Sequence, residues 1–481
     1  MINIRELILE MLIEILEKDG YSHLVIRGVL DKYNYIESRD KAFIKRVTEG
    51  TLEKLIFIDY VLNQFSKVPV KKMKPLIRNL LRFSVYQLLF MDNVPDSAVC
   101  NEAVKLAGKR GFRSLSGYVN GLLRNIARNK ENIAYPDPKK EKVRYTSVKY
   151  SMPEWIVELW DKEYGEEKTI LMLEALQMEH PVVVRVSENL SHEQKREGLL
   201  SLSDCGVEWA EHPYLPNAYL LKDTEGIAGL PGYEEGRFTV QDVSSMLAVE
   251  AAGIRQIDKK SSYQEERKTE ELLVLDVCAA PGGKSVYAGQ LLSQKGKVIA
   301  RDLTEYKIFL IEENIGRMKC ANVEAEVWDA LNFDESLKEK ADIVLADLPC
   351  SGLGIMGKKR DIRYRSNPEK LMELEELQRQ ILSVIWQYVK PGGVLIYSTC
   401  TINPGENENM VKWFTKEYPF ETESLLPYLP EKIWQRNKAQ MIESQRPEAA
   451  FAVDGPEMGC LQLVPGIHET DGFFFARLRR R

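Results

Sequence analysis

At 481 residues, 44% hydrophobic and 29% charged, the chain has room for about three domains and the composition of a globular protein, not a disordered or fibrous one. It shows no apolar N-terminal core with a small-residue cleavage site and no long uncharged apolar run, so a cytoplasmic protein with no membrane partner is expected. Seven scattered cysteines without a C-x-x-C pair, and only five histidines, argue against a disulfide framework and a metal site.

The first 130 residues read as helix throughout. Leu7, Ile8, Met11, Leu12, Ile15 and Leu16 recur at helical spacing, as do Leu76, Leu80, Leu81, Val85, Leu88 and Leu89. Leu115, Tyr118, Val119, Leu122, Leu123 and Ile126 form a third set, and strand-like alternation is absent. The net charge of −6 conceals an asymmetry: residues 1–150 carry 27 Lys and Arg against 17 Asp and Glu, a balance of +10, and the remainder carries −16. The excess sits on the polar helical faces, at Lys67, Lys71, Lys72, Lys74, Arg78 and Arg82, then at Lys105, Lys109, Arg110, Arg113, Arg124 and Arg128. A basic third on an acidic chain suits a polyanion-binding module joined to something else. Pro136-Asp-Pro138-Lys-Lys-Glu-Lys142 then breaks the pattern, and 131–150 is expected to be an exposed linker.

Residues 151–235 change character. A helix over Glu166–Met178 precedes the β-branched run Val182–Val186; a polar helix from Ser191, a turn at Gly206 and short strands near Val207 and Ala218–Leu221 follow. This predicts a small α+β module. It lacks the aromatic signature of RNA-recognition folds and gives no reason of its own to bind RNA.

From 236 to 481 strand and helix alternate as a parallel sheet requires, with strands at Leu272–Val277, Lys297–Arg301, Val323–Trp328, Asp342–Asp347, Val394–Thr399 and Phe473–Leu478. The polar stretch 252–271 reads as a surface insertion without chemistry.

Four sequence features in this last domain carry chemistry. Asp276-Val-Cys278-Ala279-Ala280-Pro281-Gly282-Gly283-Lys284-Ser285 is a strand end, a Gly-rich turn and a helix start, where small residues let backbone N–H groups approach a ligand. A phosphate-binding P-loop would need glycine at Cys278, and no dinucleotide G-x-G-x-x-G is present. Asp302, placed to accept ribose hydroxyls, and Asp329, placed to meet an adenine amino group, close the next two strands; with Asp276 and Asp347 they describe a cofactor containing adenosine but no triphosphate. Cys350, in Asp347-Leu-Pro-Cys350-Ser-Gly, and Cys400, in Ser-Thr-Cys400-Thr-Ile-Asn-Pro-Gly-Glu406-Asn-Glu, both follow apolar strands, so two thiols lie at the carboxyl ends of a parallel sheet. The basic loop Gly354–Arg365 directly after Cys350 is placed to hold RNA phosphates.

These motifs, with Gln241-Asp242-Val-Ser-Ser245 and Asp471-Gly-Phe-Phe-Phe-Ala-Arg-Leu478, resemble those of the RNA 5-methylcytosine methyltransferases of the NOL1/NOP2/Sun family across residues 236–481. The helical module, through Ser38-Arg-Asp-Lys-Ala-Phe43 and Tyr118-Val-Asn-Gly-Leu-Leu-Arg-Asn125, is similar to the antitermination factor NusB. The resemblance implies an α/β fold: a Rossmann-like, seven-stranded S-adenosylmethionine-dependent methyltransferase domain after an all-α NusB-like domain and a small α+β module. It implies that Cys278, Ala279, Ala280, Pro281, Gly282, Gly283, Lys284, Asp302, Asp329 and Asp347 bind S-adenosylmethionine. It also implies that Cys400 adds to C6 of cytosine, that Asp347 assists at N3 and that Cys350 helps release the adduct. DNA 5-methylcytosine enzymes take the nucleophile from the Pro-Cys motif, the place of Cys350; the Thr-Cys400 motif implies the RNA arrangement. A NusB-like domain joined to this catalytic domain implies bacterial 16S ribosomal RNA as partner, free or in an early small-subunit assembly, with cytosine 967 as target. The same reaction on transfer RNA or 23S ribosomal RNA, or a non-catalytic RNA-binding assembly factor, are the alternatives. A monomer is expected, since no exposed coiled-coil seam is visible.

Overall fold

The computed structural model describes residues 3–222, 224, 226–257, 272–292, 296–433 and 459–481. The chain forms two compact units. One comprises Met1–Gln177 with Met356–Arg365, and the other comprises Met178–Ile355 with Ser366–Arg481.

The first unit is all helix: α1 (Ile4–Glu17), α2 (Ser22–Lys32), α3 (Ser38–Glu53), α4 (Leu55–Phe65), α5 (Pro75–Phe90), α6 (Asp96–Lys109), α7 (Ser116–Arg128), α8 (Lys142–Tyr150), α9 (Glu154–Tyr164) and α10 (Glu166–Ala175). The Asn3 side chain caps α1 by accepting from the Glu6 N–H, and Pro75 opens α5 where no N–H is needed. Leu7, Ile8, Met11, Leu12 and Ile15 of α1 pack with Leu80, Leu81 and Val85 of α5 and Val119, Leu123 and Ile126 of α7 in a single core. Burial of these apolar stripes, each side chain contributing about 1.5–3 kcal/mol, is what holds short helices together.

The stretch expected as a linker is partly structured. Residues 142–150 form α8, whose Val148 enters that core, and α9 and α10, which lie in the range expected for the α+β module, group with the helical unit. The Pro136-Asp-Pro138 break is real, but the helix after it is short enough that Lys and Tyr side chains hide its apolar signal.

The second unit holds two sheets. The smaller is antiparallel, in the order β2 (Glu208–Glu211), β3 (Ala218–Lys222), β1 (Val182–Val186), β4 (Phe238–Val240), with α11 (His192–Asp204) packed on it through Leu199 and Leu202. β4 lies beyond the expected module boundary at 235; only three residues long, it shows no period.

The larger sheet has eight strands. Its path runs β10 (Phe420–Thr422), β12 (Phe473–Arg480), β9 (Val389–Thr399), β8 (Ala341–Asp347), β5 (Leu273–Asp276), β6 (Lys297–Asp302), β7 (Val323–Val327), with β11 (Cys460–Leu463) also paired to β12. β12 runs antiparallel to β9, while β5 to β9 are mutually parallel. β9 begins at Val389, five residues before the expected start, and continues through Pro391-Gly392-Gly393 with an irregular register opposite Ala341 and Ile343.

Alternate residues of these strands face two cores. Val274, Ile343, Leu345, Val394 and Ile396 pack with α12 (Val243–Ala251), α13 (Gly283–Leu291) and α14 (Glu305–Met318). Leu275, Val344, Ala346, Leu395 and Tyr397 pack with α16 (Pro368–Ile385) and α17 (Glu408–Glu417); the short α15 (Ile362–Arg365) belongs to the helical unit. Burial on both faces explains why these strands read as continuous apolar runs.

Within the expected 252–271 insertion, Ala252 and Ile254 are buried, and 258–271 lies outside the described residues. Among the described residues no helix is long and apolar enough to cross a membrane, and no group of three His, Cys, Asp or Glu is placed to hold a metal.

Candidate active site

The chain order reverses between β5 and β8, and open parallel sheets bind ligands outside the strand ends at such a point. From β5 the chain turns through Cys278–Gly282 into α13. Gly282 has φ +100°, a conformation that costs an L side chain dearly, and its bare Cα lies against Ile311 of α14. Asp276 is fully buried and accepts a 2.6 Å bond from Ser285 Oγ, but its Oδ1 has no partner. Burial pushes its carboxyl up to about 7.

At the end of β6, Asp302 accepts from the N–H of Ala280 (2.9 Å), the N–H of Leu303 (2.8 Å) and Lys307 Nζ (2.8 Å). The Lys307 side chain is 46% exposed, so it is the group a ribose hydroxyl would displace. Asp329 follows β7 and accepts from the Leu331 N–H at 3.0 Å. This donor set, with an orphaned buried carboxylate oxygen, a turn of Ala279, Ala280, Pro281, Gly282 and Gly283, and two strand-end carboxylates, fits an adenosyl amino acid. Cys278 packs against the core that Leu275, Val344 and Leu395 share with α16 and α17, and burial raises its thiol well above the ordinary range.

Lys284 turns toward the neighbouring strand. Its Nζ donates to Asp347 Oδ2 at 2.6 Å, while Ser398 Oγ of β9 donates to Asp347 Oδ1 at 2.7 Å. Burial alone would depress the ammonium, but the Asp347 carboxylate reverses this and holds it above its usual value. Three adjacent strand ends thus meet at one carboxylate.

The two thiols lie beside it. Cys350 Sγ and Cys400 Sγ are 3.2 Å apart, and both residues are half-buried. The Cys350 thiol is raised well above its ordinary range, first by its hydrogen bond to Cys400 and then by burial, with Glu406 and Asp347 adding. Proton retention is therefore favoured on Cys350, in contact with the Cys400 sulfur.

Sequence reasoning missed the side chains that fix these loops. Thr399 Oγ1 donates to Asn407 Oδ1 (2.6 Å), and Asn407 Nδ2 donates to Thr401 O and Gln462 Oε1. Gly354 donates to Cys400 O and approaches Gly472 so closely that a Cβ would lie 1.9 Å from its carbonyl. The quoted Gln241-Asp242 and Asp471 segments also meet, through the Asp471 N–H and Asp242 Oδ1. No periodicity reports such contacts.

The loop after Cys350 corrects an expectation. Arg360 pairs with Glu49 and Glu53, Arg365 with Asp361, and Arg363 is buried, donating to Ser151 O and Met356 O. These cations are used inside the helical unit and do not wait for phosphates. The acids that claim Arg360 stand more than 300 residues earlier in the chain, out of reach of any local pattern.

A Rossmann-like sheet with this turn and paired strand-end carboxylates defines a methyltransferase domain. Comparisons with known proteins narrow it. Residues 264–479 match the model of the 16S rRNA methyltransferases RsmB/F, 2–128 the NusB family and 152–227 the ferredoxin-like domain of RsmF/B-like methyltransferases. The chain is 35% identical to the probable ribosomal RNA small subunit methyltransferase B of Bacillus subtilis, over 100% of this chain and 99% of that protein. It is 28% identical to ribosomal RNA small subunit methyltransferase B of Klebsiella pneumoniae, again over 100% and 99%. The crystal structure of PH0851 superposes with a TM-score of 0.76 at 25% identity, covering 100% of this chain and 99% of that one. NSun6 from Pyrococcus horikoshii, solved with SFG, shares the fold at a TM-score of 0.52 and 20% identity, over 68% and 98%. The chain belongs to the RsmB/F family of ribosomal RNA small subunit methyltransferases.

Proposed function

We propose that the protein methylates C5 of one cytosine in 16S ribosomal RNA, through a covalent adduct between Cys400 and C6 of the base. The observation that carries this reading is the 3.2 Å thiol pair beside the Lys284–Asp347 pair. When bound, S-adenosylmethionine supplies an electrophilic methyl group, held by the Cys278–Lys284 turn, Asp302 and Asp329, with Asp276 beneath.

C5 of cytosine is a poor nucleophile. Addition of the Cys400 thiolate to C6 makes C5 enamine-like, while Asp347, carrying a proton when the base is bound, donates it to N3 as negative charge develops there. After methylation, loss of the C5 proton and departure of Cys400 restore the aromatic ring, and the protonated Cys350 thiol, in contact with Cys400, assists that departure. The base must leave its stack to reach the strand ends, which costs least in single-stranded RNA. The family resemblance supports cytosine 967 as the target and free RNA or an early assembly intermediate as the substrate; a cytoplasmic monomer is the working form proposed with it.

The test is bisulfite sequencing of 16S RNA after incubation with enzyme and S-adenosylmethionine. One newly protected cytosine supports the reading. Protection confined to transfer RNA or 23S RNA moves the substrate, and silence on every RNA leaves a binding factor.

The helical unit sorts its cations into two groups. Arg78, Arg82, Lys105, Lys109 and Arg110 are neutralised by Glu17, Asp59, Glu102, Glu6 and Glu10. Lys67, Lys71, Lys72, Lys74, Arg113, Arg124 and Arg128 are exposed and have no ion pair among the described residues. Ser66 and Tyr118 share a 2.7 Å hydrogen bond, which brings the lysine-bearing loop against α7. The double substitution Lys71→Glu, Lys72→Glu is expected to weaken RNA binding about tenfold or more near physiological salt and to flatten the dependence of log Kd on log salt by about two. The same reversal at Lys105 and Lys109 should do less, because those charges are already paired. Equal effects would contradict the sorting.

A further inference from the structure

Glu406 is a fully buried carboxylate with no cation beside it among the described residues. Four donors converge on it instead: the Ser351 N–H at 2.8 Å, Ser351 Oγ, Gln378 Nε2 at 3.0 Å and Asn403 Nδ2 at 3.0 Å. Burying a charge without a counter-ion is costly, and a full donor shell is what makes it tolerable. The donors come from three places. Ser351 follows Cys350, Asn403 lies in the loop after Cys400, and Gln378 is on α16, where it also donates to Pro349 O at 2.9 Å. Ser351 Oγ further bonds Thr401 Oγ1 at 2.7 Å, so the residues that follow the two cysteines touch.

We infer that Glu406 is the positioning residue for Cys350, clamping its loop against that of Cys400 so that the release thiol stays in contact with the nucleophile. The inference rests on the thiol roles proposed above.

The two thiols depend on this carboxylate unequally. Cys400 directly follows the internal strand β9 and is held on both sides without it. Thr399 is bonded to Asn407, Thr401 O accepts from Asn407, and Cys400 O accepts from Gly354 N–H. The Cys350 loop is tied by the Leu348 N–H to Ser398 O, by Gln378 to Pro349 O, and by Ser351 to Glu406. Removing the carboxylate therefore loosens the Cys350 loop at Ser351, where the Thr401 hydroxyl is the tie that remains, and leaves Cys400 anchored. Its charge also faces Cys350 and adds to the retention of that thiol's proton. In Glu406→Gln the new NH₂ group points at groups that are themselves donors, so at least one contact of the clamp is lost.

The experiment compares single-turnover methyl transfer, steady-state turnover and covalent protein–RNA adduct on a denaturing gel for wild type, Glu406→Gln and the milder Ser351→Ala. Thermal melting and S-adenosylmethionine binding of each variant report its folding. The expected result for Glu406→Gln is a near-stoichiometric first turnover, steady-state turnover reduced about 10–100-fold and accumulated adduct, with KM for RNA little changed. Ser351→Ala should show the same pattern more weakly, and it decides the matter if Glu406→Gln fails to fold. First-turnover and steady-state rates falling together without adduct, or wild-type behaviour in both variants, would overturn the inference. Cys350→Ala and Cys400→Ala run alongside separate the two readings: adduct in Cys400→Ala means the thiol roles are wrong whatever Glu406 does.

Discussion

Cys400→Ala is expected to abolish methyl transfer, by roughly 10⁴-fold or more, and to leave no covalent adduct with RNA. Cys350→Ala is expected to do the opposite to the adduct: first-turnover methylation survives, release slows by roughly 10²–10⁴-fold, and a protein–RNA species persists on a denaturing gel. The reason lies at the 3.2 Å sulfur contact: the hydrogen bond to Cys400 and burial hold the proton on Cys350, with the Glu406 and Asp347 carboxylates adding, which suits Cys350 to assist release. The measurement is adduct and tritium incorporation for the two variants side by side. If Cys350→Ala abolishes both while Cys400→Ala retains them, the roles are reversed.

Asp347→Asn is the second large effect, with kcat expected to fall by roughly 10²–10⁴-fold while the affinity for S-adenosylmethionine changes far less. Asparagine keeps the shape of the side chain and the bond from Ser398, but it takes the counter-charge from Lys284. The Lys284 and Asp347 side chains are 14% and 27% exposed, so the ammonium is left without its counter-ion in a largely dry place; about 1–3 kcal/mol of stability should go with it. Lys284→Met in the Asp347→Asn background separates the two losses. It should restore much of the melting temperature without restoring turnover, and recovery of both would show that Asp347 acts only by holding the site together.

The parts of this protein that were legible in sequence are those where a local pattern carries the physics. Helical spacing in α1, α5 and α7 reports one buried face, and the apolar runs of β5, β8 and β9 report strands buried on both. The Cys278–Lys284 turn could be read because small residues, glycine and a strand end coincide. Three things were not legible. β4 and β10 are only three residues long, too short for a period to show. The bond from Lys284 to Asp347 was not legible either, because a long side chain at the start of α13 reaches the neighbouring strand that topology places there. Glu406 stood in view within Pro-Gly-Glu406-Asn-Glu, yet nothing in that string says it is buried, nor that its partners are Ser351 and Gln378. Composition likewise could not say which of the lysines and arginines were already spoken for.

The helical unit is discontinuous in sequence, and this sets the order in which it can be completed during synthesis. Ser22, near the start of the chain, bonds Asp361 through both its N–H and its hydroxyl, and Tyr364 donates to the Leu52 carbonyl at 2.7 Å. Residues 1–177 leave the ribosome first and can collapse early, since their contacts are mostly local. The seat for Asp361 and Arg363 stays unfilled until most of the other unit has been made. Contacts separated by 339 residues are late and slow to close. A nascent chain stalled before residue 356 should therefore hold a helical unit more open to proteases around Ser22, Leu52 and Ser151 than the finished protein does. By the same logic the second unit expressed from residue 178 would carry an orphan ten-residue segment, with Arg363 keeping Met356 O but stripped of Ser151 O, between the strand that ends at Asp347 and helix α16.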